Sequence, residues 1–330
     1  MTTSPALLAT VWRGDVPEAA IRGHVAVVSA AGEVLAAAGD PHATITLRSC
    51  VKPLQALPFV RGAAQRIGAG DNHLAVACAS HQGEDDHVAT VRSLLALAGL
   101  SEDALACGAH VPFDETAARR LLASGLPPQR VHNNCSGKHA AMLATCAVAG
   151  WPLAGYTDPA HPCQRAVTAA MSTLMGLDLS SAPWGIDGCG LPTYGVSLAT
   201  LARAFAAGQA DPGFRRCQDA MAAHPHLVGG TGRFDTALLA ESGALLTAKI
   251  GGAAVWAATL RPDGPAVALK LEAGAGEALP PVALAVLQRM GAFPEGLPSA
   301  LEAFASPPLR NWEGAAVGGT RVSTDQLPAL

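Results

Sequence analysis

The sequence predicts a mixed α/β fold of the α+β kind, an antiparallel sheet with covering helices. Three observations carry that prediction. Strand–turn–strand patterns lie towards opposite ends of the 330-residue chain, segments of helical apolar periodicity fill the interval, and strands do not alternate with helices as βαβ units require. Strands that come first and last can then share one sheet.

The first hairpin is predicted in residues 21–38. There Ile21-Arg-Gly-His24-Val-Ala-Val-Val28 and Val34-Leu-Ala-Ala-Ala38 flank an Ala30-Ala-Gly32 turn. Helical patterns follow at 53–67, 85–99, 115–124, 138–149, 161–175 and 197–208. Late in the chain, Ala254–Leu260 and Ala266–Leu271 flank Arg261-Pro-Asp263-Gly264, a strong turn signal, and a further helix is expected at 280–291. No repeat or long linker interrupts this order. The chain therefore reads as one domain, 1–330, with a helical part of about 50–225 inserted between N- and C-terminal strands.

With 50% hydrophobic residues the chain can bury a large core. A net charge of −4, 15% charged residues and 4% aromatics leave nucleic-acid binding without support. No window approaches a membrane-spanning apolar run, and the N-terminus lacks a basic segment followed by an apolar core, so a cytoplasmic location is expected. The eight cysteines are too dispersed for a small disulfide scaffold and are expected to be reduced and buried.

Four lysines stand against eighteen arginines. Arginine stays protonated, whereas a buried lysine can lose its proton and act as a base. Coding bias accounts for the scarcity but not for the positions. Lys270 alternates like an ordinary strand residue; Lys52, Lys138 and Lys249 sit among small residues, Ser or Gly, and are the candidates for chemistry.

Arg48-Ser49-Cys50-Val51-Lys52-Pro53 holds a Ser-x-x-Lys pattern at an expected helix start. A neutral amine there can take the serine proton and create a nucleophile. Ser80 ends the apolar run Leu74–Ala79, read as a strand, and Lys249 ends a strand-like segment against Gly251-Gly252, so a second pair, Ser80 with Lys249, is conceivable. Two further loops stand out, His132–His139 ahead of an Ala-rich helix, and Ile186–Thr193. Gly137-Lys138-His139 lacks the glycine and four-residue spacer of a phosphate loop, and Cys135 and Cys189 lack the close ligand spacing of a zinc finger. Gly229–Asp235 is a turn whose amides, with Arg233, can cradle a carboxylate. His224 and His226, flanking Pro225, could pass for metal ligands, but a solvated loop is the reading preferred for them.

Together, Leu47–Pro53, Ala77-Cys-Ala-Ser80-His81, Asn134–His139, Asp187–Pro192 and the glycines at 229–233 resemble the Rhizobium-type, class 3, L-asparaginases, also called asparaginase II. The likeness runs from near residue 21 to about 325. It implies hydrolysis of L-asparagine to L-aspartate and ammonia, a fold similar to serine β-lactamases and glutaminases, and a homodimer. It also implies two Ser and Lys tandems, Ser49 with Lys52 and Ser80 with Lys249, beside a zinc ion held by Cys135, Lys138 and Cys189. Arg48, Asn134, His139, Asp187 and Gly230 are then expected to hold the substrate or to support the metal ligands. Glutaminase chemistry differs by one methylene in the substrate and stays open, as does the choice between the serines. A penicillin-binding or β-lactamase activity is disfavoured because Lys-Thr-Gly is missing. A non-enzymatic zinc protein is the remaining alternative.

Overall fold

A computed structural model describes residues 4–328 of the chain. The fold is mixed, with an antiparallel sheet and many helices, as the sequence predicts. The described residues form two compact units. One comprises 4–50, 195–207 and 245–328; the other comprises 51–194 and 208–244.

The first unit is built on an eight-stranded sheet. Its strands are β1 (Ala6–Arg13), β2 (Val16–Val28), β3 (Val34–Ala38), β7 (Leu246–Gly251), β8 (Val255–Leu260), β9 (Ala266–Leu271), β10 (Pro308–Arg310) and β11 (Ala316–Val322). The order is β10-β11-β1-β2-β9-β8-β7, with β3 also on β2, and every pairing is antiparallel. Thus the two expected hairpins, β2–β3 and β8–β9, join directly through β2 and β9, in the register Val25↔Leu269 and Val27↔Val267. The segment Val25–Val28 is buried on both faces, which explains its continuous β-branched and small apolar run. Helices α8 (Leu198–Gly208, of which 198–207 belong to this unit), α12 (Leu279–Arg289) and α13 (Ser299–Ala305) complete the unit. The α8 side chain Arg203 donates to the Gly32 carbonyl at 2.8 Å and so caps the first hairpin turn. Full burial of Val25, Val27, Trp256, Val267, Leu269 and Val282 is worth roughly 1.5–3 kcal/mol for each aliphatic side chain.

The second unit is mainly helical. It holds α1 (Lys52–Gln55), α2 (Leu57–Gly62), α3 (Asp71–Ala77), α4 (Asp85–Leu97), α5 (Glu115–Ala123), α6 (Ser136–Ala149), α7 (Pro162–Met175), α9 (Pro212–Ala223), α10 (Pro225–Val228) and α11 (Phe234–Ser242). The single helix expected at 53–67 is divided at Ala56, because Pro58 removes an amide needed for a continuous helix. The apolar run Leu74–Ala79 is not a strand. Residues 71–77 form α3, whose start is secured by the His73 ring accepting the Gly70 N–H at 3.0 Å, and the run is apolar because the helix is buried all round. Helix α6 is buried from Ser136 through Cys146, and at Gly137 it passes so close to α3 that a β-carbon would strike the Val76 carbonyl. A short strand, β5 (Trp184–Ile186), pairs with the first half of β6 (Pro192–Ser197). In the first unit, the second half of β6 pairs with β4 (Thr44–Thr46). Among the described residues no helix is long and apolar enough to cross a membrane.

Candidate functional site

In the first unit, β4 leads into a tight turn at Arg48–Val51 that carries Ser49. Arg48 has φ +48°, an uncommon conformation for a residue with a side chain, which marks a constrained turn. The end of β7 runs against it. A β-carbon at Gly251 would lie 3.0 Å from the Cys50 nitrogen and 3.2 Å from the Ser49 nitrogen, and one at Gly252 would lie 2.8 Å from Arg48 Nη2. Glycine at these positions therefore lets the strand bearing Lys249 approach the serine turn. Lys249 is fully buried, opposite Ala257 in the β7–β8 register, and its Nζ donates to the Ile250 carbonyl at 2.9 Å. The strand context foreseen for Lys249 is present.

In the second unit, Lys52 opens α1 and is fully buried. Its amine donates to the Ser80 hydroxyl at 3.0 Å, to the Ala79 carbonyl, and to the Asn134 carbonyl at 3.4 Å. The Ser80 amide is tied to the Val228 carbonyl at 3.0 Å, just ahead of the glycine loop. The next residue, His81, donates its backbone N–H to the Asn134 carbonyl at 3.2 Å. Its ring lies between Ser136 Oγ, at 3.0 Å, and the Gly83 N–H, at 3.1 Å. Burial, then His87 and Lys52, push His81 well below the usual imidazole range, so it is neutral near pH 7.

The segment 133–139 enters α6 through side-chain capping. Asn133 Oδ1 accepts the Cys135 N–H at 2.8 Å, while Asn133 Nδ2 holds the Gly108 carbonyl at 2.6 Å. These bonds orient Cys135 and, one helical turn on, Lys138 and His139. Cys189 arrives on a turn in which Asp187 Oδ1 accepts the Gly188 N–H at 2.8 Å and the Asp187 carbonyl accepts the Gly190 N–H at 2.8 Å. Gly190 takes φ +84°, open to glycine without strain. Cys135, Lys138 and Cys189 are all buried, and Lys138 Nζ lies 3.4 Å from Cys189 Sγ.

The three groups shift one another's titration. A hydrogen bond from Cys189 lowers the Cys135 thiol well below its ordinary value despite burial, with Lys52 and Lys138 assisting. The partner Cys189 is correspondingly raised by its bond to Cys135 and by burial. Burial acts to lower Lys138, but Cys189, Cys135 and Asp187 outweigh it and hold the amine protonated. Two sulfurs and a nitrogen converge in a buried place, which fits the donor set of a zinc site once Lys138 gives up its proton.

His139 is buried and its Nδ1 shares a hydrogen bond with the Tyr156 hydroxyl at 2.6 Å, and that hydroxyl also accepts the Ala106 N–H at 2.9 Å. Burial, with Lys138 and Lys52, lowers its pKa well below the usual value. At Gly230, φ is +118° and a β-carbon would lie 2.5 Å from Glu84 Oε1. The loop amides turn inward here: Gly230 N–H donates to Thr236 Oγ1 at 3.0 Å and Thr231 N–H to Glu84 Oε1 at 2.8 Å. Those two amides are thus held by side chains, and Arg233 is exposed.

Sequence reasoning missed Glu84, Gln82 and Tyr156. Gln82 holds the Thr231 carbonyl at 2.7 Å, beside Glu84. Tyr156, one of only two tyrosines, carried a signal in its rarity, since a buried tyrosine needs a partner for its hydroxyl.

The family described as L-asparaginase II matches residues 9–322. No curated protein matches the chain.

Proposed function

Because the chain belongs to the L-asparaginase II family, and is thereby an amidohydrolase that acts as an L-asparaginase, we propose that it hydrolyses L-asparagine through an acyl-enzyme formed on Ser49. Lys52 acts as the base. The fully buried Lys52 amine, bonded to the Ser80 hydroxyl at 3.0 Å, supports Lys52 as the proton carrier, and the choice of Ser49 as nucleophile rests on the Ser49-x-x-Lys52 pattern.

Ser49 Oγ attacks the side-chain amide carbon while neutral Lys52 takes its proton. A bond forms from oxygen to carbon. The tetrahedral intermediate then expels ammonia only when its nitrogen is protonated, and Ser80, already bonded to Lys52, passes that proton on. Water next attacks the aspartyl ester, Lys52 takes the water proton, and the Ser49 hydroxyl is restored as aspartate leaves. Lys249, buried on the strand that borders the Ser49 turn, is the second amine of the site. Arg48, Asn134, Asp187, His139 and Gly230 are proposed to hold the substrate or to support the metal ligands; in the second unit the Asn134 carbonyl meets Lys52, Asp187 shapes the Cys189 turn and Gly230 sits against Glu84.

Cys135, Lys138 and Cys189 would hold a zinc ion, which supplies a fixed positive charge that orients substrate. The hydrogen bond with Cys189, with help from Lys52 and Lys138, lowers the Cys135 thiol, the direction that favours a thiolate ligand. The hydrolytic step needs only the serine and the lysine, so chelation should affect binding and stability more than turnover.

Rapid quenching with asparagine, followed by peptide mass spectrometry, tests the proposal. An aspartyl adduct on the peptide containing Ser49 supports it. An adduct on the Ser80 peptide would instead make Ser80 the nucleophile, with Lys52 its base. A homodimer is the assembly expected from the resemblance, and mass photometry measures it.

A further inference from the structure

We infer that the second unit carries a separate divalent-metal site of the histidine–carboxylate type, formed by His87, His226 and Glu84 with Asp86 at its rim. It shares no residue with the Cys135, Lys138 and Cys189 cluster, and it does not rest on the asparaginase reading.

The starting point is the His87 ring, which is fully buried near the start of α4. Its Nε2 meets the His226 carbonyl at 3.0 Å. A carbonyl only accepts, so Nε2 carries the proton and Nδ1 presents a bare lone pair. That Nδ1 is buried without a hydrogen-bond partner. It lies 3.6 Å from Asp86 Oδ1, so an acceptor faces an acceptor. A cation between them relieves this opposition. Donation of the other ring N–H to a backbone carbonyl is also how metal-binding histidines are held in the correct tautomer.

The remaining donors converge on the same place. One ligand atom from each of Glu84, His87 and His226 lies within 4.8 Å of the others. His226 Nε2 is 3.1 Å from Asp86 Oδ2 and 3.7 Å from Glu84 Oε2. Tetrahedral coordination with bonds of about 2.0–2.2 Å places neighbouring ligands roughly 3.3–3.6 Å apart, so small movements close the site. The His87 and His226 rings are stacked with centroids 5.1 Å apart, which fixes their relative position. His226 is 39% exposed and Asp86 is 54% exposed, so an ion has a path from solvent. Two imidazoles with carboxylates select zinc or a neighbouring transition metal over calcium or magnesium.

The consequence is mechanical. Glu84 also accepts the Thr231 N–H at 2.8 Å and the Thr231 hydroxyl at 2.7 Å. A metal on Glu84 and His226 therefore ties the first turn of α4 to α10 and to the glycine loop that follows it.

The test uses zinc chloride alone as the probe. The Cys135→Ser/Cys189→Ser protein is equilibrated with zinc, freed of excess by dialysis, and its metal content measured by atomic emission beside its melting temperature. About one zinc per chain and a raised melting temperature are expected, and both are lost when His226→Gln is added. A folded double variant without zinc, or zinc content unchanged by His226→Gln, overturns the inference. Should the double variant fail to fold, the wild-type protein is titrated with cobalt(II). A second equivalent without thiolate charge-transfer absorption, absent in His226→Gln, is expected; saturation at one equivalent with thiolate absorption contradicts the site.

Discussion

The Lys52 amine reaches the Ser80 hydroxyl across 28 positions of sequence, at 3.0 Å, and both residues flank the same Asn134 carbonyl through Lys52 itself and the His81 amide. A lysine adjacent in sequence to one serine is thus bonded in space to the other. Under the proposed mechanism this one amine serves both, as base for Ser49 and as proton source through Ser80.

Lys52→Met is expected to lower kcat by about 10²–10⁴-fold with the fold retained, because it removes a general base while filling the same buried volume. Lys52→Arg should not restore activity, since guanidinium stays protonated. Steady-state kinetics with circular dichroism measure both. Recovery of near wild-type kcat in Lys52→Arg would exclude the base role.

Ser80→Ala should lower kcat while leaving KM nearly unchanged, since Ser80 handles a proton rather than holding the substrate. A variant that raises only KM points instead to a binding role.

Much of this was legible in the sequence, for identifiable reasons. The two hairpins were readable because Ala30-Ala-Gly32 and Asp263-Gly264 are turn chemistry between apolar runs, and α5 and α7 were placed to within a residue or two by their periodicity. Helix α3 was not, because a helix buried on every side has no apolar stripe to betray its period. Helix α9 was overlooked although its start was written in Asp211-Pro212, where Asp211 Oδ1 accepts the Phe214 N–H at 2.9 Å. The catalytic candidates Ser49, Lys52, Ser80 and Lys249 come from local patterns in the sequence. The Lys52–Ser80 bond and the role of Glu84 beneath Gly230 depend on contacts distant in sequence, which no local pattern encodes.

Stability should fall as pH drops below about 6.5. His81 is buried, and its Nδ1 accepts the Gly83 N–H at 3.1 Å. Its folded pKa is depressed, so the unfolded chain binds the proton first. The stability is complete above the unfolded value and is lost as pH falls towards the folded one, by up to ~1.4 kcal/mol per pH unit for this one group. His24 and His73, whose Nδ1 atoms accept the Asp40 and Gly70 amides, are shifted in the same direction, chiefly by burial. Urea unfolding between pH 7 and 5 measures the slope. A flat profile contradicts it.

Gly137→Ala should destabilise the protein by about 1–3 kcal/mol, because its methyl group meets the Val76 backbone rather than a yielding side chain. Chemical denaturation checks this, and an unchanged midpoint would show that α3 and α6 can separate without cost.

Chelation is expected to lower the melting temperature and raise KM more than it lowers kcat, since the proposed proton transfers run through Ser49, Lys52 and Ser80 rather than through Cys135, Lys138 or Cys189. Complete loss of turnover at unchanged stability, restored by zinc, would give the metal a direct part in the chemistry.

The most direct measurement is ammonia release from L-asparagine and L-glutamine, at neutral and alkaline pH, by the wild-type protein and Ser49→Ala. The account predicts release selective for asparagine, faster at alkaline pH as Lys52 becomes neutral, and abolished in the variant. Release that survives in a folded Ser49→Ala protein, or a rate that peaks sharply below about pH 6, would contradict a lysine-activated Ser49.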